Sequence, residues 1–261
     1  MKERPEIPEE KMVEVTNDTK KIDFTKPYKF LYFEWWFYLL TLPIFLVCYV
    51  FVALSAAFFG LRVKGWKNFR SMRGKGFITV SNHCHFFDTV LANFVYFPRR
   101  IYISVVQRNF EVPFVRFVLR VLKAFPIPAS PVGFKMITEP VGEAIRRGHA
   151  VLFLPEGELV HLSQTIHRFR VGAFYQSYIH QTPILPMVYT IKRRKFFGKE
   201  MGPNWVKMTL NFGEPITPPV KQEDVLFPKK ALDEMAEKTA SWMEAVIAEY
   251  HGTGKNGEKA L

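Results

Sequence analysis

The sequence predicts an α/β domain, a sheet flanked by helices, behind an N-terminal membrane-associated helical segment. Three observations predict it. No charged residue occurs from Trp35 to Leu61. From about Gly74, short apolar runs alternate with stretches of helical periodicity, the pattern of a sheet covered by helices. Apolar residues make up 48% of the 261-residue chain, enough to fill the core of one such domain.

In chain order, residues 1–29 read as a polar leader and 30–61 as a membrane-associated helix or helical hairpin. As one helix, Trp35 to Leu61 would span roughly 40 Å, against about 30 Å of hydrocarbon. Tyr32, Trp35, Trp36 and Tyr38 crowd one end, where amphipathic rings prefer a membrane interface. Pro43 is expected to kink or break the helix. Arg62, Lys64, Lys67, Arg70, Arg73 and Lys75 follow the block and place the next domain on the cytoplasmic side. Lys20, Lys21, Lys26 and Lys29 precede it, so both ends are basic. That symmetry favours a hairpin broken near Pro43 and dipping into one leaflet over a single tilted span. A signal peptide or a buried core helix has similar hydropathy, but the long, partly acidic leader argues against the first.

The domain itself is read as residues 62–250, and 251–261 as a flexible Gly- and Lys-rich tail. Its strands are predicted at Phe77 to Val80, Ile101 to Val106, Ala150 to Leu154, Ile184 to Thr190 and Val206 to Phe212. A helix is predicted over Asp88 to Tyr96. Phe134, Ile137, Val141, Ala144 and Ile145 form one helical stripe, which Gly148 stops. Leu232, Met235, Thr239, Trp242 and Val246 form another in the last helix.

The net charge of +12 favours polyanionic partners: nucleic acid, an anionic membrane face or a phosphorylated small molecule. Lys and Arg are spread along the chain with no aromatic-basic recognition motif, which argues against nucleic acid. Only two cysteines occur, Cys48 in the apolar block and Cys84 beside His83, so no disulfide framework and no oxidising compartment is implied.

The chemistry concentrates in Val80-Ser81-Asn82-His83-Cys84-His85-Phe86-Phe87-Asp88. On one α-helix, His83 and Asp88 would lie about 140° apart. They meet only if the chain turns between a strand end and a helix start, which is where α/β sheets bind ligands. A His held by an Asp is a general base: the carboxylate fixes the tautomer and stabilises the imidazolium that forms. A second stretch, Val151-Leu152-Phe153-Leu154-Pro155-Glu156-Gly157, ends an apolar strand in an acid and a glycine. A third, Thr182-Pro183-Ile184-Leu185-Pro186-Met187, brackets a strand start with prolines.

In this order and spacing the stretches resemble the glycerophospholipid acyltransferase family, that of the 1-acylglycerol-3-phosphate acyltransferases. Asn82, His83 and Asp88 match its first motif. Pro155, Glu156 and Gly157 match its third, with Leu154 in place of Phe, and Pro183 and Pro186 match its fourth. Arg170-Val171-Gly172-Ala173-Phe174 resembles the basic-x-Gly-Ala-Phe segment that follows the third motif. The resemblance covers roughly residues 65 to 215. It implies a mixed sheet flanked by helices, with His83 and Asp88 as catalytic residues and Asn82, Pro155, Glu156 and Gly157 at the substrate. It implies transfer of an acyl group from acyl-CoA or acyl carrier protein, as co-substrate, to a lysolipid hydroxyl at a membrane, without metal or other cofactor. The family's second motif ends in a phosphate-binding Arg, whereas Lys123-Ala124-Phe125-Pro126-Ile127-Pro128 has none. The third motif continues Thr-Arg, where Glu158 and Leu159 stand here. Lys135, Arg168 and Arg170 are the candidates to replace those arginines. Without such replacements the acceptor is a different lipid.

Other readings start from the same residues. His83, His85 and Asp88 would be the beginnings of a metal-dependent hydrolase, which requires further ligands. Cys84 would be a thiol nucleophile, although neighbours on a strand face opposite ways. A basic, non-catalytic membrane-surface protein would bind lipid and transfer nothing.

Overall fold

The computed structural model describes residues 2–7, 22–24, 26–128, 130–202, 205–221 and 224–252. Strands that are apolar at every position need cover on both faces of their sheet. Phe77–Val80 and Ala150–Phe153 are buried throughout, and the chain supplies that cover from both sides.

The elements run α1 (Trp35–Phe58), β1 (Arg62–Lys64), α2 (Trp66–Ser71), β2 (Phe77–Val80), α3 (Asp88–Tyr96), β3 (Ile101–Val106), α4 (Gln107–Glu111), α5 (Pro113–Val121), β4 (Ala124–Ile127), α6 (Pro131–Met136), α7 (Thr138–Arg146), β5 (Ala150–Phe153), α8 (Gly172–Ile179), β6 (Ile184–Arg193), β7 (Lys195–Phe196), β8 (Lys199–Glu200), β9 (Val206–Phe212) and α9 (Lys229–Gly252). Seven strands form one sheet in the order β1-β9-β6-β2-β5-β3-β4, and β7 pairs with β8 in a hairpin. The block β6-β2-β5-β3-β4 is parallel, and β9 runs antiparallel to β6. The sheet is therefore mixed, as the motifs implied.

Alternation along the strands divides the core into two layers. Ile78, Val80, Val151 and Phe153 point to one side, with α7, α8 and α9. Phe77, Ala150 and Leu152 point to the other, with α1 and α3. The predicted strands β2, β3 and β9 have the bounds expected. β5 stops at Phe153, one residue early, and β6 runs on to Arg193.

Two sequence expectations are corrected. The stripe from Phe134 to Ile145 is two helices, α6 and α7, that meet at Ile137. Pro140 has no N–H to give the carbonyl four residues back, so it sits in the first turn of a new helix. The hairpin broken near Pro43 does not form: α1 continues through Pro43 as one helix. The missing N–H costs one backbone hydrogen bond, and Thr41 Oγ1 donates to the nearby Phe37 carbonyl at 2.8 Å. By length and composition α1 is sufficient to cross a membrane. It also packs sideways on the domain, with Thr41, Val52, Ser55 and Ala56 buried and rings such as Tyr49 on Phe94 of α3 at 5.6 Å. Leu40, Val47 and Leu54 on its outer side are 73%, 72% and 65% exposed.

Of the polar leader, residues near the start lie against α9: Lys2 pairs with Glu244, and Arg4 with Glu237 and Glu244. Residues 8–21, and residues 253–261 of the expected tail, lie outside the described residues.

Candidate active site

The parallel pairing of β2 with β5, Val80 opposite Phe153, brings the first and third motifs to one sheet edge. Ser81 N donates to the Phe153 carbonyl at 3.2 Å, so both strands release their loops at the same level. The loop after β2 turns through His85 and opens α3 at Asp88. The His83 carbonyl accepts from Val160 N, and the Cys84 carbonyl from Leu162 N at 2.7 Å.

That turn closes the dyad. His83 Nδ1 lies 2.9 Å from Asp88 Oδ2. Asp88 is buried in the first turn of α3, where the helix N-terminus favours negative charge. Its Oδ2 also accepts from Cys84 N at 3.0 Å and His85 N at 3.2 Å, and its Oδ1 from Thr89 N at 2.6 Å. A carboxylate ringed by donors must take the Nδ1 proton of His83, which leaves the Nε2 lone pair as the basic atom. The His83 side chain is 20% exposed against 1% for Asp88. Burial pulls the imidazole down, but the charge and hydrogen bond of Asp88, with the charges of Glu156 and Glu158, more than offset this. His83 titrates above its ordinary value.

The remaining sequence candidates divide. Asn82 is buried and clasps β6: its Nδ2 donates to the Tyr189 carbonyl at 3.1 Å, and its Oδ1 accepts from Tyr189 N at 2.9 Å. Both amide atoms are thus engaged with backbone, which positions the loop on β6. Glu156 is buried as well; its carboxylate accepts from His83 N at 3.4 Å and His167 N at 3.3 Å, bracing the two loops against each other. Pro155 accepts from Arg170 N at 2.8 Å. Gly157 has φ +88, and a Cβ there would meet the Arg170 guanidinium carbon at 2.8 Å. Glycine is thus required both for the turn and for Arg170 to lie across it. Lys135 is exposed on α6, which leaves the same sheet edge and packs through Phe134 against Gly172. Arg168 forms an exposed ion pair with Glu6 of the leader at 2.9 Å.

The competing chemistries fit less well. Among the described residues no group of three or more His, Cys, Asp or Glu is arranged to hold a metal ion. His85 Nδ1 accepts from Phe87 N at 3.2 Å, and its ring packs on Phe59 at 4.8 Å and on His161. Burial, then His161, depress His85 to about 4 despite Asp88. Cys84 is buried, and burial with the nearby Asp88 and Glu156 charges pushes its thiol well up, which opposes thiolate formation.

Tyr189 was not legible as a site residue. It donates its hydroxyl to the Asp88 carbonyl at 2.7 Å and carries the backbone that Asn82 holds. It lies in no recognisable motif, and only the pairing of β6 with β2 reveals it.

Residues 60–190, half of the chain, match the family model described as Acyltransferase. The fold is similar to the crystal structure of the 1-acyl-sn-glycerophosphate (LPA) acyltransferase PlsC from Thermotoga maritima. The two are 16% identical over 82% of each chain, with a TM-score of 0.56. At that identity the likeness speaks for the fold. No curated protein matches the sequence. The matched region contains the whole His83–Asp88 turn and the Glu156 loop. The chain belongs to the acyltransferase family, in line with the glycerophospholipid acyltransferase motifs of its sequence, and is an O-acyltransferase.

Proposed function

We propose that the protein transfers a fatty acyl group from a CoA or carrier-protein thioester to the free hydroxyl of a lysophospholipid, 1-acylglycerol-3-phosphate, at the cytoplasmic face of a membrane. The observation that carries this reading is His83 held through Nδ1 by a buried, multiply bonded Asp88, with 20% of the His83 side chain still exposed. Nε2 takes the proton of the acceptor hydroxyl as its oxygen attacks the thioester carbonyl. The C–S bond then breaks, and the departing thiolate receives the proton from His83, leaving an ester and a thiol. No acyl-enzyme forms, which agrees with the inert position of Cys84. Arg170 over Gly157 and Lys135 on α6 supply positive charge on the same sheet edge for the acceptor or CoA phosphates. They stand in for the two arginines that the motifs lack.

The membrane part of the reading rests on α1. Its C-terminal end touches the catalytic loop, with Phe59 on His85 at 4.8 Å and Phe51 on Phe87 at 5.9 Å. A helix crossing a bilayer is surrounded over roughly 30 Å. One side of α1 is instead taken by the domain, and exposed Phe86, Phe97, Phe114 and Phe117 extend its apolar surface. This favours a helix immersed lengthwise in one leaflet, which delivers lipid from the bilayer to His83.

The test is incubation of the protein in lipid with labelled acyl-CoA and a panel of lysolipids, beside His83→Ala. Preferred acylation of lysophosphatidate that the variant lacks supports the reading. Acylation only of phosphate-free acceptors, or transfer that survives the substitution, overturns it. Arg170→Ala should raise the KM for the phosphorylated acceptor about tenfold while changing kcat little, since a charge-assisted contact in the bound state is lost.

A further inference from the structure

The catalytic loop leaves the C-terminal ends of β2 and β5. At the opposite, N-terminal edge the chain gathers another set of charges. Arg100 precedes β3, Lys123 precedes β4, and Arg147 and His149 precede β5. Along a four-residue strand such as β2, the two edges are about 13 Å apart, before the loops add their own length. These groups therefore do not belong to the acyl-transfer site.

The cations stand on aromatic rings of the segment that leads into α1. The Arg100 guanidinium lies 4.0 Å from the Tyr38 ring centre. Arg120 lies 5.4 Å from that of Tyr32, and it donates to the Tyr28 hydroxyl at 3.2 Å. The Lys123 ammonium reaches α1 itself, 4.2 Å from the centre of the Phe45 ring. A small cleft opens between Tyr32, Tyr38, Tyr102, Arg120 and Lys123.

What is missing there is negative charge. Arg147 has Glu143, and Lys29 has Glu34. Among the described residues no carboxylate hydrogen-bonds or ion-pairs with Arg100, Arg120 or Lys123, although all three are half-buried. The local field is correspondingly positive. Burial, then Arg100, push Lys123 down to about 8, and burial with Arg100, Arg147, Arg99 and Lys123 pushes His149 down to about 4.

We propose that Arg100, Arg120 and Lys123 form a binding site for the phosphate of an anionic membrane lipid, at the sheet edge opposite the catalytic loop. The lipid source follows from position. The cluster sits at the end of α1 marked by Trp35 and Trp36, which are 75% and 50% exposed, and such rings mark headgroup depth. Lys123 lies against the apolar helix, where a lipid phosphate arrives with its acyl chains alongside. A phosphate there neutralises the three cations together while the aromatic rings keep them in place. Through Tyr38 and Phe45 the site holds the N-terminal half of α1, whose C-terminal half touches the catalytic loop through Phe51 and Phe59. The inference requires α1 to lie at a membrane but not the acyl transfer, and its test reads binding alone.

Full-length protein is sedimented with phosphatidylcholine vesicles and with the same vesicles doped with phosphatidate. The wild type should prefer the doped vesicles. Arg100→Gln with Lys123→Gln should lose that preference, about fivefold per charge removed, and bind plain phosphatidylcholine as before. Lys229→Gln with Lys230→Gln, an equal charge loss at the start of α9 on the other face of the sheet, should keep the preference. Arg100→Lys with Lys123→Arg should keep it too, which separates charge from folding. The proposal is overturned if the wild type shows no preference, if the α9 pair loses as much, or if the charge-conserving variant loses as much. Competition by millimolar glycerol 3-phosphate would overturn the lipid source in favour of a soluble phosphate.

Discussion

The two edges of the parallel strands treat charge in opposite ways. At the C-terminal edge the acidic and amide side chains beside His83 are bonded within the protein. Asp88 accepts four N–H bonds, Asn82 two-way clasps Tyr189, and Glu156 ties two loops together. At the N-terminal edge three cations have rings beneath them and, among the described residues, no carboxylate bonded to them. A closed network holds one side chain in one protonation state and orientation, which catalysis needs. An open cluster of one sign keeps its affinity for a partner from outside. On the two proposals above, the first arrangement suits a site that acts and the second a site that attaches.

The largest expected effect breaks the closed edge at its centre. His83→Ala removes the proposed base and should lower kcat by about 10⁴-fold, with the fold retained by circular dichroism. Asp88→Asn comes next, at about 10²- to 10³-fold, because an amide leaves the tautomer unfixed. The pH profile sharpens the same point. The neutral imidazole is the active form and Asp88 raises its pKa, so activity should fall as pH drops through a midpoint above about 6.5. In Asp88→Asn that midpoint should move to lower pH. An unchanged midpoint would mean that His83 is not the group being titrated.

Asn82→Ala tests whether this residue positions or binds. It strands the buried N–H of Tyr189, leaves its carbonyl only the longer bond from Gln164 Nε2, and should cost about 1–3 kcal/mol in urea unfolding. A stable variant with only a raised KM would support the substrate-contact reading. The smallest effect belongs to Cys84→Ala. The thiol touches no step of the transfer, so turnover should stay near the wild-type level, and a trapped acyl-cysteine in the parent protein would contradict this.

Much of the site was legible because it depends on short-range order. The strand-turn-helix at Val80 to Asp88 follows from an apolar run, a polar loop and an acidic helix start, all within nine residues. The resemblance then brought Glu156 and Gly157 to the same place, which the pairing of β2 with β5 explains. The roles of Asn82, Tyr189 and Arg168 were not legible. Each is decided by a partner far along the chain: β6 for the first two, the leader's Glu6 for the third.

The sequence by itself determined where apolar runs become strands, where α3 begins, and that one segment is too apolar for water, because periodicity and burial of single residues are local properties. The tertiary structure alone decided that α1 passes unbroken through Pro43, since packing against α3 outweighs one lost backbone hydrogen bond. It also decided which strands are neighbours, and hence which charges find partners and which are left at the opposite edge. Parallel pairing joins residues distant in sequence, and no local pattern encodes that choice.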